Sequence, residues 1–135
     1  MEIIRAPCGS TPTEQPGYSG VVWVDREVVG VEGSRLLTFG AQFGPAARTA
    51  WHRGAYGRIL RVAHGTGRVQ RLGGPVREVH AGDAIIVAAG EWHWHGATAE
   101  NFMCHLALWE SPGAGEPETE WGDLLTDGEY PAPVE

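Results

Sequence analysis

Two histidine-bearing stretches constrain this chain more than any other feature. The first reads Thr49-Ala50-Trp51-His52-Arg53-Gly54-Ala55-Tyr56-Gly57-Arg58, and the second Gly90-Glu91-Trp92-His93-Trp94-His95-Gly96. Each adjoins a strand-like run, and residues 59–89 between them are patterned as short strands and turns. Such a layout brings two strands together inside a barrel and points imidazoles at one cavity.

The rest of the chain agrees with an all-β domain. Its 135 residues include 20 glycines and 9 prolines, which separate short apolar runs and favour many short strands with tight turns. That length suits one domain with its own core. A formal charge of −7 argues against nucleic-acid or anionic-membrane partners. No apolar run approaches the roughly 20 residues a membrane helix needs. The start, Met1-Glu2-Ile3-Ile4-Arg5, lacks the basic and apolar regions of a signal peptide, so a cytoplasmic location is expected. Cys8 and Cys104 make no disulfide framework. Free thiols are the favoured reading, with a single bridge between them as the alternative.

Residues 1–34 read as an extended arm followed by a first strand at Val21–Asp25, residues 35–110 as the barrel core, and residues 111–135 as a tail packed on the barrel, all in one domain. Arg35 to Phe43 alternates, with Leu37, Phe39, Ala41 and Phe43 on one face. Arg58 to His64 is the next strand, Gly65-Thr66-Gly67 a turn, and Arg68 to Leu72 with Val76 to His80 a hairpin across Gly73-Gly74-Pro75. Ala84 to Ala88 is apolar on both faces and so is expected to be buried on both. In Asn101 to Trp109, Met103, His105, Ala107 and Trp109 share the inward face; Phe102, Cys104, Leu106 and Leu108 share the other. Apolar residues on that second face predict a covering segment or a second subunit, hence a homodimer. In the tail, Trp121 to Tyr130 is expected to dock with Leu124 and Leu125 as anchors. Short strands with no long helix mean a sandwich or barrel.

Gly44-Pro45-Ala46-Ala47-Arg48-Thr49-Ala50-Trp51-His52 with Gly57-Arg58 and Gly65, then Gly82-Asp83 with Ala89-Gly90-Glu91-Trp92-His93-Trp94-His95-Gly96-Ala97-Thr98, resemble the two motifs of the cupin superfamily, small jelly-roll β-barrels with a site inside. The chain looks most like short single-domain bacterial cupins that include manganese-dependent hydroxynitrile lyases. The likeness extends to the HWHGAT-like second motif, His105 and the tail, and it is weak as to reaction, because cupins host many chemistries. In the family pattern two histidines stand two apart, a Gln or Glu follows four residues later, and the second motif adds a histidine. By that resemblance His52 and His93 are kept, while Gly54 stands where the second histidine belongs and Arg58 where the amide or carboxylate belongs.

Two enzymatic readings and one binding reading follow. In the first, His52, His93, His105, Arg58 and Tyr56 form the catalytic set of a lyase, isomerase or cyclase that works by proton transfer with little or no metal dependence. Arg58 would hold an anionic oxygen, a histidine would move protons near neutral pH, and Tyr56 would donate a hydrogen bond to a carboxylated or enolisable small-molecule substrate. In the second, a weakly bound divalent metal (Mn, Fe, Ni or Zn) is held by His52, His93 and His95 in a hydroxynitrile-lyase-like lyase or an oxygenase. His95 is positioned to help because residues 93 and 95 share a strand face. The Arg58 guanidinium opposes this by repelling a divalent cation. In the third, the pocket holds a small ligand without turnover. Each residue also has a bland role: Arg58 in an ion pair with Glu91, His105 in the core, His95 bracing a loop, His64 and His80 on the surface, the tryptophans in packing.

Overall fold

The structure is a computed structural model that describes residues 1–5, 12–113, 117–130 and 132–133. In chain order its strands are β1 (Tyr18–Ser19), β2 (Val22–Val24), β3 (Val28–Val29), β4 (Leu36–Phe43), β5 (Arg48–Thr49), β6 (His52–Gly54), β7 (Arg58–Arg71), β8 (Arg77–His80), β9 (Ala84–Val87), β10 (His93–Ala97), β11 (Met103–Glu110) and β12 (Thr119–Trp121). A single 3₁₀ turn, Asp127–Glu129, is the only helical element among the described residues. The chain is an all-β, nearly closed jelly-roll barrel, with strand order β1-β5-β10-β7-β11-β4-β2 along the main path.

The long strand β7 joins the two walls. Its first half pairs with β11 and β9, and its second half with β10 and β8. The expected turn at Gly65-Thr66-Gly67 is therefore a bend inside one strand. Gly65 has φ +80°, and a Cβ there would lie 1.9 Å from the Phe102 carbonyl oxygen, so only glycine lets β11 approach this closely. The adjoining β11 register shifts between Cys104 and His105, as a bulged barrel corner does.

Alternation on β4 and β11 fills the interior as the sequence pattern requires. Leu37, Ala41, Phe43, Met103, Ala107 and Trp109 are buried, in two clusters joined by Phe39 and Ile85. A third cluster lies outside the barrel, where Val76 and Trp94 pack under Leu125 of the tail. Here Leu125 is the anchor and Leu124 is exposed. Tyr130 sits between the Arg48 and Arg68 guanidinium groups, each 4.5 Å from its ring, and donates to the Ala97 carbonyl.

Two further expectations are corrected. The arm is not merely extended, because β1 pairs with β5 and places Tyr18 on the barrel. Strand β9 is not buried on both faces: Val87 is, but Ile86 is 81% exposed, since β9 is an edge strand bonded to β7 alone. Cys104 is a half-buried free thiol, and Cys8 lies outside the described residues. No described helix is long and apolar enough to cross a membrane.

Candidate active site

Strands β6 and β10 run antiparallel and set His93 directly opposite His52. His95, two residues on, faces the same way. Ring centroids are 4.2 Å apart for His52 and His93, 5.2 Å for His52 and His95, and 5.8 Å for His93 and His95. One ring nitrogen of each lies within 4.8 Å of the others. His105 enters from β11 on the opposite wall, 4.9 Å from His95. All four side chains are buried.

Two hydrogen bonds set the tautomers. His52 Nδ1 donates to the Ala50 carbonyl and His93 Nδ1 to the Glu91 carbonyl, each at 2.9 Å. A carbonyl only accepts, so both rings keep the lone pair on Nε2. His93 Nε2, His95 Nδ1 and both nitrogens of His105 are buried with no protein partner. Each such atom costs about 1–3 kcal/mol, and several on one cavity wall mark a place built for something other than packing.

Burial keeps these imidazoles neutral. It pushes His52 well below the ordinary histidine value, reinforced by His93, Arg58 and His105 and opposed by the bond to Ala50. It does the same to His95, with His105, His52, His93 and Arg58 adding to it. His93 is lowered by burial and then Arg58, against its bond to Glu91. Burial alone brings His105 to about 4.

Arg58 stands beside the histidines. Its guanidinium is 4.6 Å from the Trp109 ring centroid, and Nη2 donates to the Glu118 carbonyl at 2.9 Å and to Thr119 Oγ1 at 2.5 Å. It forms no ion pair with Glu91, which instead accepts from the Ala88 amide. A Cβ on Gly54 would lie 2.9 Å from Arg58 Nε and 3.1 Å from Nη2. Arg58 thus fills the space where a side chain at position 54 would begin. Burial lowers the Arg58 pKa, opposed by Glu118 and Tyr18.

Beside these groups lies a cavity of about 640 Å³ with apolar walls from Phe39, Phe43, Leu60 and Trp109. His52, His95, His105 and Arg58 all reach it. Tyr56 does not: it is 40% exposed, under Arg35, which donates to its hydroxyl at 3.4 Å. The phenol in the cavity is Tyr18 instead, its pKa raised by burial against the pull of Arg58. Trp121 is a second missed residue, its ring 5.0 Å from that of His52. Both come from segments that local pattern marks as arm and tail; only the flanking Gly17 and Gly20 around Tyr18 hinted at a close approach. His64 and His80 are exposed, as expected of surface histidines. Trp94 packs outside the barrel, donating Nε1–H to Gln70 at 2.8 Å.

Residues 41–109 match the family model described as the cupin domain. This chain is a cupin. It is 36% identical to an (R)-mandelonitrile lyase of Granulicella tundricola over 96% of this chain and 98% of that protein. Among solved structures, a cupin-like protein from Thermotoga maritima superposes with TM-score 0.80 at 29% identity, covering 96% of this cupin and 95% of that chain. The polyketide cyclase RemF from Streptomyces resistomycificus shares the fold, with TM-score 0.72 at 17% identity over 96% and 90% of the two chains.

The donor set fits a divalent transition metal in its chemistry. Three neutral imidazoles converge, and two are held through Nδ1 by carbonyls so that Nε2 is free to ligate. The adjacent Arg58 cation works against that affinity.

Proposed function

We propose that this cupin is a lyase that cleaves or forms a small aromatic hydroxynitrile or similar carbonyl adduct by proton transfer. The observation that carries the reading is the pair His95 and His105, buried, neutral and with unpaired ring nitrogens, sharing one cavity with His52 and Arg58. The mandelonitrile lyase relative supports the reaction class. Phe39, Phe43 and Trp109 provide walls suited to an aryl group. His52 Nε2, polarised through the Nδ1–H bond to Ala50, takes the hydroxyl proton. The bond between the carbinol carbon and cyanide breaks, leaving the aldehyde carbonyl and a cyanide anion. Arg58 offsets the developing negative charge, and the imidazolium returns its proton to cyanide. The cavity also carries Asp25, Glu27 and Glu118 against Arg26 and Arg58. That balance favours a neutral, enolisable or carbonyl-adduct substrate over a carboxylated one.

A second reading rests on the 4.8 Å convergence of ring nitrogens. His52, His93 and His95 would hold a divalent metal, which when bound supplies Lewis-acid polarisation of the substrate oxygen. Arg58, His105 and the aromatic walls then orient the adduct as before. In either reading the outer face bearing Ile59, Ile86 and Leu106, all exposed, is a natural seat for a second copy in a homodimer.

Aldehyde release from (R)-mandelonitrile is the deciding assay, run before and after chelator treatment. His52→Ala and Arg58→Gln are each expected to lower kcat/KM by about 10²-fold. Wild-type turnover no faster than the buffer reaction sinks the lyase reading and leaves a ligand-holding module. Activity lost to chelator and restored by Mn²⁺ selects the metal reading.

A further inference from the structure

The buried cation of the site is held from the tail. Strand β12 pairs with β6 and sets Thr119 opposite Gly54 and Trp121 opposite His52. Residues 119 and 121 share a strand face, and both line the cavity that holds Arg58. Glu120, on the other face, turns away to Arg53 at 2.7 Å. Positions 54, 58 and 119 thus form one fitted set. Gly54 has no Cβ, and the Arg58 guanidinium occupies the room this leaves. Thr119, across the ladder from Gly54, accepts from Arg58 Nη2 at 2.5 Å through Oγ1, and the Glu118 carbonyl accepts from the same nitrogen at 2.9 Å. A guanidinium carries five N–H groups, two of them on Nη2, and the two acceptors of the tail take both. Among the described residues neither Nε nor Nη1 has a hydrogen-bond acceptor. The Trp109 ring, 4.6 Å away, covers the guanidinium. Arg58 is therefore pinned at one corner of its fork, with the other N–H groups left unpaired on a residue that lines the cavity.

We infer that Thr119 is a positioning residue: its hydroxyl oxygen fixes the Arg58 fork so that Nε–H and Nη1–H stay presented to negative charge developing in the cavity. The inference rests on the lyase reading for the charge that Arg58 meets. A single acceptor on Nη2 would leave a pivot about which the guanidinium swings, whereas two acceptors on one nitrogen fix the direction of the planar fork. Donors fixed beforehand need no reorganisation at the moment of reaction, and a free arginine side chain must first give up its rotamer freedom. Valine at 119 would keep the shape of threonine and lose the acceptor.

Two measurements on the full-length protein test this. The first is proton–nitrogen NMR of the arginine guanidinium groups, with the Arg58 signals assigned by their loss in Arg58→Gln. In the wild type the two Nη2 protons are expected as separate, exchange-protected signals, and Thr119→Val is expected to merge or bleach them. The second is aldehyde release from (R)-mandelonitrile. Thr119→Val is expected to lower kcat/KM about tenfold, mainly through kcat, and Thr119→Ser, which keeps the oxygen, to restore most of that loss. In an Arg58→Gln background Thr119→Val is expected to add less than about twofold, because it acts only through Arg58. Averaged Nη2 signals in the wild type, full activity in Thr119→Val, an equal loss in both backgrounds, or no recovery with serine overturns the inference. Failure of the lyase reading is distinguishable: mandelonitrile would go uncleaved while Thr119→Val still merged the Arg58 signals.

Discussion

The two walls of the main cavity solve different problems. The wall from β4, β11 and the first half of β7 is mostly an ordinary interior of Leu37, Phe43, Leu60 and Ala107, buried and packed in clusters, with His105 and Arg58 as its buried polar members. The wall from β6 and β10 is equally buried but carries His52, His93 and His95, with nitrogens on His93 and His95 unpaired. A chain selected for stability alone would not leave those atoms without partners, since each costs more than an apolar group of the same shape. The apolar wall holds the barrel together, and the histidine wall draws on that stability to keep lone pairs aimed into a cavity.

The largest effect that tests this division belongs to the apolar wall. Phe43→Ala removes a ring that is 1% exposed and stacks on His105 with centroids 5.4 Å apart. It is expected to cost about 3–5 kcal/mol in urea unfolding. A loss well under that would mean the wall collapses to fill the gap.

The buried histidines, three on the histidine wall and His105 opposite them, are the part that acid breaks. They titrate lower in the folded protein than in the unfolded chain, so between the two values the unfolded chain binds more protons. Their stability contribution is present above the ordinary value of 6.5 and is lost as pH falls toward the folded value. For His105, at about 4, the loss amounts to roughly 3 kcal/mol by pH 4, with His52, His93 and His95 acting in the same direction. Urea midpoints of chelator-treated protein from pH 7 to 4 check this; a flat profile would show that the folded imidazoles are solvated.

A smaller effect sharpens the contrast at Arg58. Gly54→His with Arg58→Gln removes the cation and restores the ligand pattern of the family. Mn²⁺ or Zn²⁺ affinity is expected to rise at least tenfold, about 1.4 kcal/mol, by calorimetry. No gain would show that position 54 does not face the histidines as the motif resemblance requires. The smallest effect is Tyr18→Phe, which removes one hydroxyl from the cavity. A few-fold drop in kcat/KM at unchanged melting temperature fits a phenol that touches substrate; a lowered melting temperature would instead make it structural.

Fold and histidines were legible because both follow from local pattern. Alternation on Leu37 to Phe43 and Met103 to Trp109 named their buried faces, and the two histidine stretches were expected to bring two strands together, as β6 and β10 do. The misreadings came where the environment is non-local. Gly65-Thr66-Gly67 has turn composition, yet the Phe102 carbonyl makes Gly65 a strand bend. Ile86 looks like core, yet β9 is an edge strand. Tyr56 is near His52 in sequence but outside the cavity, whereas Tyr18 and Trp121 are distant in sequence and close in space.

By itself, then, the sequence determined the all-β barrel, its cupin membership and the pairing of the two histidine stretches. These depend on side-chain period, turn chemistry and motif spacing, which are properties of neighbours along the chain. Only the tertiary structure decided the partners of Arg58, the tautomers of His52 and His93, the entry of Tyr18, and the edge position of β9. Each depends on which carbonyl, ring or strand edge arrives from a remote segment, and no local pattern encodes that.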